Sequence, residues 1–329
     1  MFDVYQRAKQ NIVSIVAHVS QDTYVVGTGF IVSEKGHIVT SAHNILKNKY
    51  VGDSECCESI HVCFELSHIV KAHVVGVDRR ADVCVLKLQG NMRTDGFLDF
   101  ASTMRMGGKC YIFGCMEDYG IHSFHEGYIE RINFVTEDII DSIATNIRIT
   151  KGISGSPILN GQGKIIGISN WFSEKTCGGA SCTLLKKIVQ SIITTRKDYV
   201  KGFFGMKTRP ILAQDIIHFN IHFLFDNMHG MLVDKIFSNM DSTDKMHKYD
   251  IISTIDNVRV GICSHSLEWF MYMKSPGEAV KIGYYKYIPK KDTPHWDHNI
   301  RFTTITMLDY PKELDVPVMR TRGRIQLLA

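Results

Sequence analysis

The chain has 329 residues, a length that fits two domains. A hydrophobic content of 44% and an aromatic content of 10% support well-packed cores, whereas a net charge of +4 is too small to argue for a nucleic-acid partner. No stretch is apolar enough for a membrane span, and the N-terminus has no apolar signal core. We therefore expect an intracellular protein.

The first chemically informative segment is a strand, turn and strand at 27–41, followed by His43. Its Glu-Lys-Gly turn at 34–36 separates two runs rich in apolar and β-branched residues. A histidine just past the end of a strand is held rigidly and still reaches a cleft. Since His37, His122 and His125 lack this setting, His43 is the candidate base.

Asp82 opens the apolar run 83–88. A carboxylate that leads into a buried strand is costly unless it is hydrogen-bonded, and a catalytic histidine is a suitable partner. Asp78 competes for this role, but its neighbours Arg79 and Arg80 predict a solvated polar turn. Asp82 is therefore the candidate acid.

The nucleophile candidate is Ser154, within Gly-Ile-Ser-Gly-Ser-Pro at 152–157. Glycines keep the backbone open to a substrate carbonyl, and the N–H groups of Gly152 and Ser154 form the predicted oxyanion hole. The order His43, Asp82, Ser154 is the order in chymotrypsin-like proteases. In that chemistry the serine attacks, the histidine carries its proton, and the aspartate orients the histidine.

Longer segments strengthen this similarity. Residues 27–45 resemble Gly-Ser-Gly-Φ-Ile…Thr-Asn-x-His-Val, residues 74–88 resemble Val-Val-Gly-x-Asp…Asp-Φ-Ala, and residues 145–169 resemble Thr-Asp-Ala-Ala-Ile-Asn-x-Gly-Asn-Ser-Gly-Gly-Pro. These motifs resemble those of the HtrA/Deg family of trypsin-like serine proteases, and the resemblance covers about residues 10 to 195. The resemblance implies a mainly β chymotrypsin-like fold for 1–198, built from two six-stranded β-barrels with the triad between them.

The same resemblance implies a serine endopeptidase that acts on protein or peptide substrates through an acyl-enzyme, without a cofactor or a metal. It also implies a homotrimer built through N-terminal aromatics, for which Phe2 and Tyr5 are candidates. The alternative is a protease-fold scaffold or chaperone-like protein of low activity, or a structural component of a larger assembly such as a virus particle. Departures from the family pattern near the nucleophile motivate the scaffold alternative, namely Arg148, Thr150 and Ile153. A further departure, Ser156 in place of glycine, is one that some members of the family tolerate.

Arg148 bears on specificity because its position corresponds to the base of the primary specificity pocket in this fold. A guanidinium there would favour an acidic substrate side chain. The resemblance places four residues at this pocket, namely Arg148, Ile149, Ile168 and Ser169. The alternation with apolar Ile147 and Ile149 favours instead an Arg148 that turns away to solvent or an interface, which leaves the specificity open.

Residues 199–308 resemble a divergent PDZ domain, a smaller α+β module that captures peptide C-termini by strand addition. Its carboxylate-binding loop would be formed by Phe203, Phe204, Gly205 and Met206. Segments 230–236, 248–258 and 276–282 resemble later PDZ strands and turns. The family glycine before Asp250 is Tyr249, and we expect Val258 in place of the turn glycine. Whether the groove still binds peptides remains open.

The last segment, 309–329, is a basic tail with Arg320, Arg322 and Arg324, and such a tail is usually mobile. Two sharper hypotheses are that its apolar end docks in a PDZ groove or that its arginines bind an acidic partner. The nine cysteines have no disulfide-ladder or zinc-finger spacing. This spacing agrees with an intracellular location.

Overall fold

Regular structure in the chain is mostly β-strand. The structure is a computed structural model, and it describes residues 2–20, 23–47, 56–64, 68–90, 92–115, 122–136, 139–149, 151–219, 221, 230–238, 240–261, 267–289, 295–311 and 326–327. It divides into two units, one formed by Met1–Tyr199 with Pro317–Ala329 and the other by Val200–Val316. The second unit therefore extends beyond residue 308, into the segment expected to be tail.

The first barrel of the first unit is closed by six strands in the order β1-β2-β3-β6-β5-β4. They are β1 (Ile12–Ser20), β2 (Thr23–Ser33), β3 (His37–Ser41), β4 (Ser59–Phe64), β5 (His68–Asp78) and β6 (Val83–Leu88). The predicted turn at 34–36 joins β2 to β3, with Gly36 at φ +73°, where a residue without Cβ is favoured. Alternate residues such as Ile15, Ile38 and Leu86 fill the interior.

The second barrel follows along the chain. Its strands are β7 (Lys109–Cys115), β8 (His122–Phe134), β9 (Ser142–Thr145), β10 (Ser156–Asn160), β11 (Ile165–Ser169), β12 (Trp171–Phe172) and β13 (Cys177–Ala180). Six of them lie in the order β11-β10-β7-β8-β9-β13, and β12 adds to the outer edge of β13. A bridge between Gly167 and Ser181 links the two ends of the row of six.

Two helices flank the barrels, α1 (Phe2–Ala8) and α2 (Cys182–Thr195), and two short 3-10 turns lie at Lys9–Asn11 and Ala42–Asn44. The amphipathic stretch 184–193 lies within α2, as predicted. Its buried face recurs every three or four residues at Leu184, Leu185, Ile188, Val189 and Ile192. Ser181 caps the helix by accepting the Leu184 N–H at 3.4 Å.

The second unit contains helices α3 (Ala213–Phe219) and α4 (Leu267–Met273). Its strands are β14 (Gly202–Phe203), β15 (Met206–Pro210), β16 (Met231–Ile236), β17 (Ile251–Ile255), β18 (Val258–Arg259), β19 (Ala279–Tyr285), β20 (Tyr287–Ile288), β21 (His295–Trp296), β22 (Arg301–Thr306) and β23 (Leu308–Asp309). The main sheet runs β15-β16-β17-β19-β22, so β15 is an edge strand among the residues that the structure describes. Pairing of β14 with β23 keeps Asp309 in this unit.

Two turns of the second unit explain its divergence from the PDZ pattern. Tyr249 occupies the expected glycine position and has φ +73°, a left-handed backbone that a tyrosine adopts only at a cost. The turn between β17 and β18 has Asp256 at φ +48° and Asn257 at φ +66°. Asn257, rather than Val258 as expected, therefore stands in for the turn glycine, because asparagine tolerates this region.

The last described strand, β24 (Gln326–Leu327), pairs antiparallel with β12 in the first unit. This placement differs from both expectations for the end of the chain, a mobile tail and a segment docked in the PDZ groove. Arg320, Arg322 and Arg324 lie outside the described residues.

Candidate active site

Ser154, His43 and Asp82 are joined by a continuous series of hydrogen bonds. Ser154 Oγ is hydrogen-bonded to His43 Nε2, and His43 Nδ1 lies 2.6 Å from Asp82 Oδ2. Asp82 Oδ1 also accepts the backbone N–H of His43 at 2.9 Å. Asp82 is 1% exposed and the His43 side chain 10% exposed, so the carboxylate is shielded while the imidazole edge is reached from solvent.

Neighbouring strand ends bring His43 and Asp82 together. His43 lies in the 3-10 turn that follows β3, and Asp82 directly precedes β6, whose Val83 pairs with Ser41 of β3. Asp82 has φ +57°, a conformation that aspartate tolerates better than most residues. The Asp82 carbonyl accepts the Ala42 N–H at 3.2 Å, which fixes the two turns against each other.

The first barrel holds the loop that carries Ser154. Thr28 of β2 donates its hydroxyl to the Gly152 carbonyl at 2.8 Å and its N–H to the Ser154 carbonyl at 2.8 Å. The Asn44 amide donates to the same Ser154 carbonyl at 3.0 Å. Because a Cβ at Gly27 would collide with the Asn44 side chain, Gly27 is needed for this contact.

The nucleophile loop also orients one predicted oxyanion donor. The Ser156 N–H donates to the Ile153 carbonyl at 3.0 Å, and the trans planar peptide therefore directs the Ser154 N–H the opposite way. Neither the Ser154 nor the Gly152 N–H has a backbone acceptor within the described part of the chain. Ile153, where the family has asparagine, is fully buried in the second-barrel core, and Thr150 lies outside the described residues.

Sequence reasoning missed a hydrogen-bonded clamp behind the triad. Asn170 donates its amide to the carbonyls of Ala81 and Asp82, both at 3.0 Å. Its Oδ1 accepts from the Ser41 hydroxyl at 2.8 Å, and Ser41 Oγ lies 3.5 Å from Ser154 Oγ. The one sequence signal for these hydrogen bonds is the position of Ser41, directly before the turn that carries His43.

The four predicted pocket residues have two different environments. Ile149, Ile168 and Ser169 are buried, whereas Arg148 is exposed. Its guanidinium therefore does not form the base of a buried pocket, and the outward orientation that the strand alternation favoured is the one observed. Burial raises the pKa of the nearby Cys177 thiol to about 12, so this part of the second barrel holds a neutral thiol.

Two competing candidates have other partners. Asp78 is 5% exposed rather than solvated, because its Oδ1 accepts the N–H groups of Arg80 and Ala81, each at 3.0 Å. His37 pairs through Nδ1 with the Ser33 hydroxyl at 2.7 Å. Neither side chain has a described contact with Ser154.

In the second unit, the side chains of the predicted carboxylate loop face the core. Phe203, Phe204 and Met206 are each at most 3% exposed and belong to the cluster around α4 and the main sheet. Gly205 has φ +72°, and its carbonyl accepts the Phe237 N–H at 2.9 Å. A ligand at this loop would therefore meet backbone groups and not these side chains.

We expect Gly155→Ala to lower the melting temperature by at least about 2 °C, since a left-handed alanine alone costs about 1–2 kcal/mol. Gly155 has φ +85°, and an added Cβ would collide with the Thr28 carbonyl and lie 2.6 Å from Thr40 Oγ1. Gly161→Ala is the matched control, because nothing lies within 4 Å of its Cβ position. Circular dichroism melts of both variants test this, and equal melting temperatures would contradict it.

Comparison with known proteins agrees with this geometry. The trypsin-like peptidase domain model matches residues 27–168. A probable periplasmic serine endoprotease DegP-like of Halomonas elongata is 25% identical over 301 residues, which cover 89% of this chain and 58% of that protein. The protein of the same name from Chlamydia trachomatis is 27% identical over 197 residues, covering 57% of this chain and 37% of that protein.

A solved structure has the same fold over most of the chain. The HtrA-type protease AlgW, solved with a tripeptide, has a TM-score of 0.73 at 18% identity, covering 94% of this chain and 97% of that chain. Residues 27–168 therefore match a trypsin-like peptidase domain, and the chain has the fold of an HtrA-type protease. Over most of its length the chain is similar to DegP-like and HtrA-type proteases. It spans 58% and 37% of the two curated relatives' own lengths.

The expectation of an intracellular location is wrong. The curated relatives from Halomonas, Chlamydia and Pseudomonas are named periplasmic serine endoproteases. Within the described ranges, no helix has the length and apolar character needed to cross a membrane.

Proposed function

We propose that the chain is a serine endopeptidase that hydrolyses peptide bonds of protein substrates through an acyl-enzyme. The observation that carries the proposal is the hydrogen-bonded series from Ser154 through His43 to Asp82. Formation of this series in the free chain does not favour the scaffold alternative. The names of the relatives support a periplasmic or secreted location for this activity.

The proposed chemistry assigns one role to each group. Ser154 Oγ attacks the peptide carbonyl while His43 Nε2 accepts its proton, and the same nitrogen then protonates the leaving amine. Asp82 accepts a hydrogen bond from the Nδ1–H group, which leaves Nε2 free to act as the base. The same carboxylate stabilises the imidazolium. The N–H groups of Gly152 and Ser154 would stabilise the oxyanion. Water then releases the acyl group with His43 as the base.

We assign the peptidase to the first unit and a PDZ-like role to the second. Support for the latter is the edge position of β15, which leaves one side of the sheet available to an extended peptide. The homotrimer through Phe2 and Tyr5 stays a prediction. Tyr5 is half-buried and stacks on Phe113 of its own chain, with ring centroids 5.8 Å apart.

We expect a fluorophosphonate probe to label Ser154 and no other serine. Among the described serines, only Ser154 has a hydroxyl that is hydrogen-bonded to a histidine paired with a carboxylate. Labelling is mapped by peptide mass spectrometry, and casein digestion is followed in parallel. Heat-unfolded protein is the control and should not react. Folded protein that neither takes up the probe nor digests casein would overturn the proposal.

A further inference from the structure

The segment Gln326–Leu327 occupies the outer edge of the strand that leaves the active site. Strand β12 pairs with β13 on one side, and β24 takes its other side. Without β24, β12 would be the outermost strand of this sheet and would present unpaired N–H and C=O groups. An extended peptide of either origin, this chain or another, can satisfy those groups by adding a strand.

This edge begins next to the triad. Trp171 follows Asn170, whose side chain bonds the Asp82 carbonyl and the Ser41 hydroxyl. Ser41 Oγ in turn lies 3.5 Å from the nucleophile Ser154 Oγ. One end of a peptide paired with β12 therefore lies close to Ser154 Oγ.

The register gives the direction of the added strand. Gln326 pairs with Phe172 and Leu327 pairs with Trp171, so the chain advances along β12 toward Asn170 and the triad. Its carboxyl end leads. A substrate that pairs with β12 in this same direction has the carbonyl after its paired residues on the side of Ser154.

We infer that Gln326–Leu327 is an internal competitor, which binds β12 as a substrate would and lowers the fraction of molecules open to protein substrates. The inference rests on the proposed peptidase function. Tethering to the same chain raises the local concentration of the segment, so that even a short strand competes. If the segment occupies β12 about nine-tenths of the time, the apparent KM is about tenfold higher than that of the open enzyme.

The test compares two double variants of the full chain. Gln326→Pro with Leu327→Pro removes both N–H donors and restricts the backbone, whereas Gln326→Ala with Leu327→Ala keeps the backbone groups. We expect the proline variant to have an apparent KM for labelled casein about tenfold lower than the alanine variant, with kcat unchanged. Equal KM values in two active variants would overturn the inference.

Amide hydrogen exchange gives a readout that needs no catalysis. In the Ser154→Ala background, the peptide containing Trp171 and Phe172 should exchange faster with the proline pair than with the alanine pair. Equal exchange would show that the segment does not dock on β12. Failure of the proposed function alone has a different signature, because casein hydrolysis would then be absent while the exchange difference persisted.

Discussion

Ser154→Ala is expected to lower kcat for casein hydrolysis by about a millionfold, because no other group replaces the nucleophile. The hydroxyl is the atom hydrogen-bonded to His43 Nε2, and without it the acyl-enzyme cannot form. Ser154 is 2% exposed, and removal of its hydroxyl leaves intact the hydrogen bonds that Thr28 and Asn44 donate to its backbone carbonyl. The melting temperature should therefore change by less than about 2 °C.

The matched control is Ser156→Ala, the same change two residues later in the same loop. Ser156 is fully buried, and its Oγ has no hydrogen-bond partner among the described residues. Removal of that hydroxyl should leave kcat within about threefold of the wild type. Proteolysis retained by Ser154→Ala, or lost equally in both variants, would mean that the triad is misassigned.

Asp82→Asn is expected to lower kcat about ten-thousandfold while the fold is preserved. Asparagine has the shape of aspartate and tolerates the φ of +57° at this position, so the backbone has no reason to change. Its amide can donate to His43 Nδ1, which would place the proton of the neutral imidazole on Nε2. Nε2 could then no longer accept the Ser154 proton.

Asp78→Asn is the control for this prediction, since both aspartates are buried in the same turn. Asp78 accepts two backbone N–H groups through Oδ1, an interaction that an asparagine carbonyl also makes. Steady-state kinetics on casein should therefore separate the two variants by about four orders of magnitude in kcat. A similar loss in both would assign the effect to the turn and not to the charge beside His43.

Much of the site could be predicted because its local chemistry is encoded in short segments. A carboxylate at the start of an apolar strand requires a partner, a histidine after a strand end faces a cleft, and glycines around a serine leave room for a carbonyl. Each of these constraints acts over a few consecutive residues. The hairpin around Gly36 and the buried face of α2 were predictable for the same reason.

Other features depend on local backbone geometry that sequence patterns resolve poorly. The neighbouring arginines of Asp78 indicated a solvated turn, yet its carboxylate is buried by bonds to its own turn. The PDZ pattern pointed to Val258, whereas the positive φ falls on Asn257. In both places, side-chain or backbone hydrogen bonding within two or three residues overrides the composition.

The sequence by itself indicated the resemblance to HtrA/Deg proteases, the mainly β fold and the three candidate residues His43, Asp82 and Ser154. The tertiary structure decided how the triad is held, because Thr28 and Gly152 are 124 residues apart and meet only where the two barrels pack together. It also decided that Arg148 faces solvent and that Gln326–Leu327 pair with β12. Contacts between distant segments follow from the packing of whole elements, which no short stretch of sequence specifies.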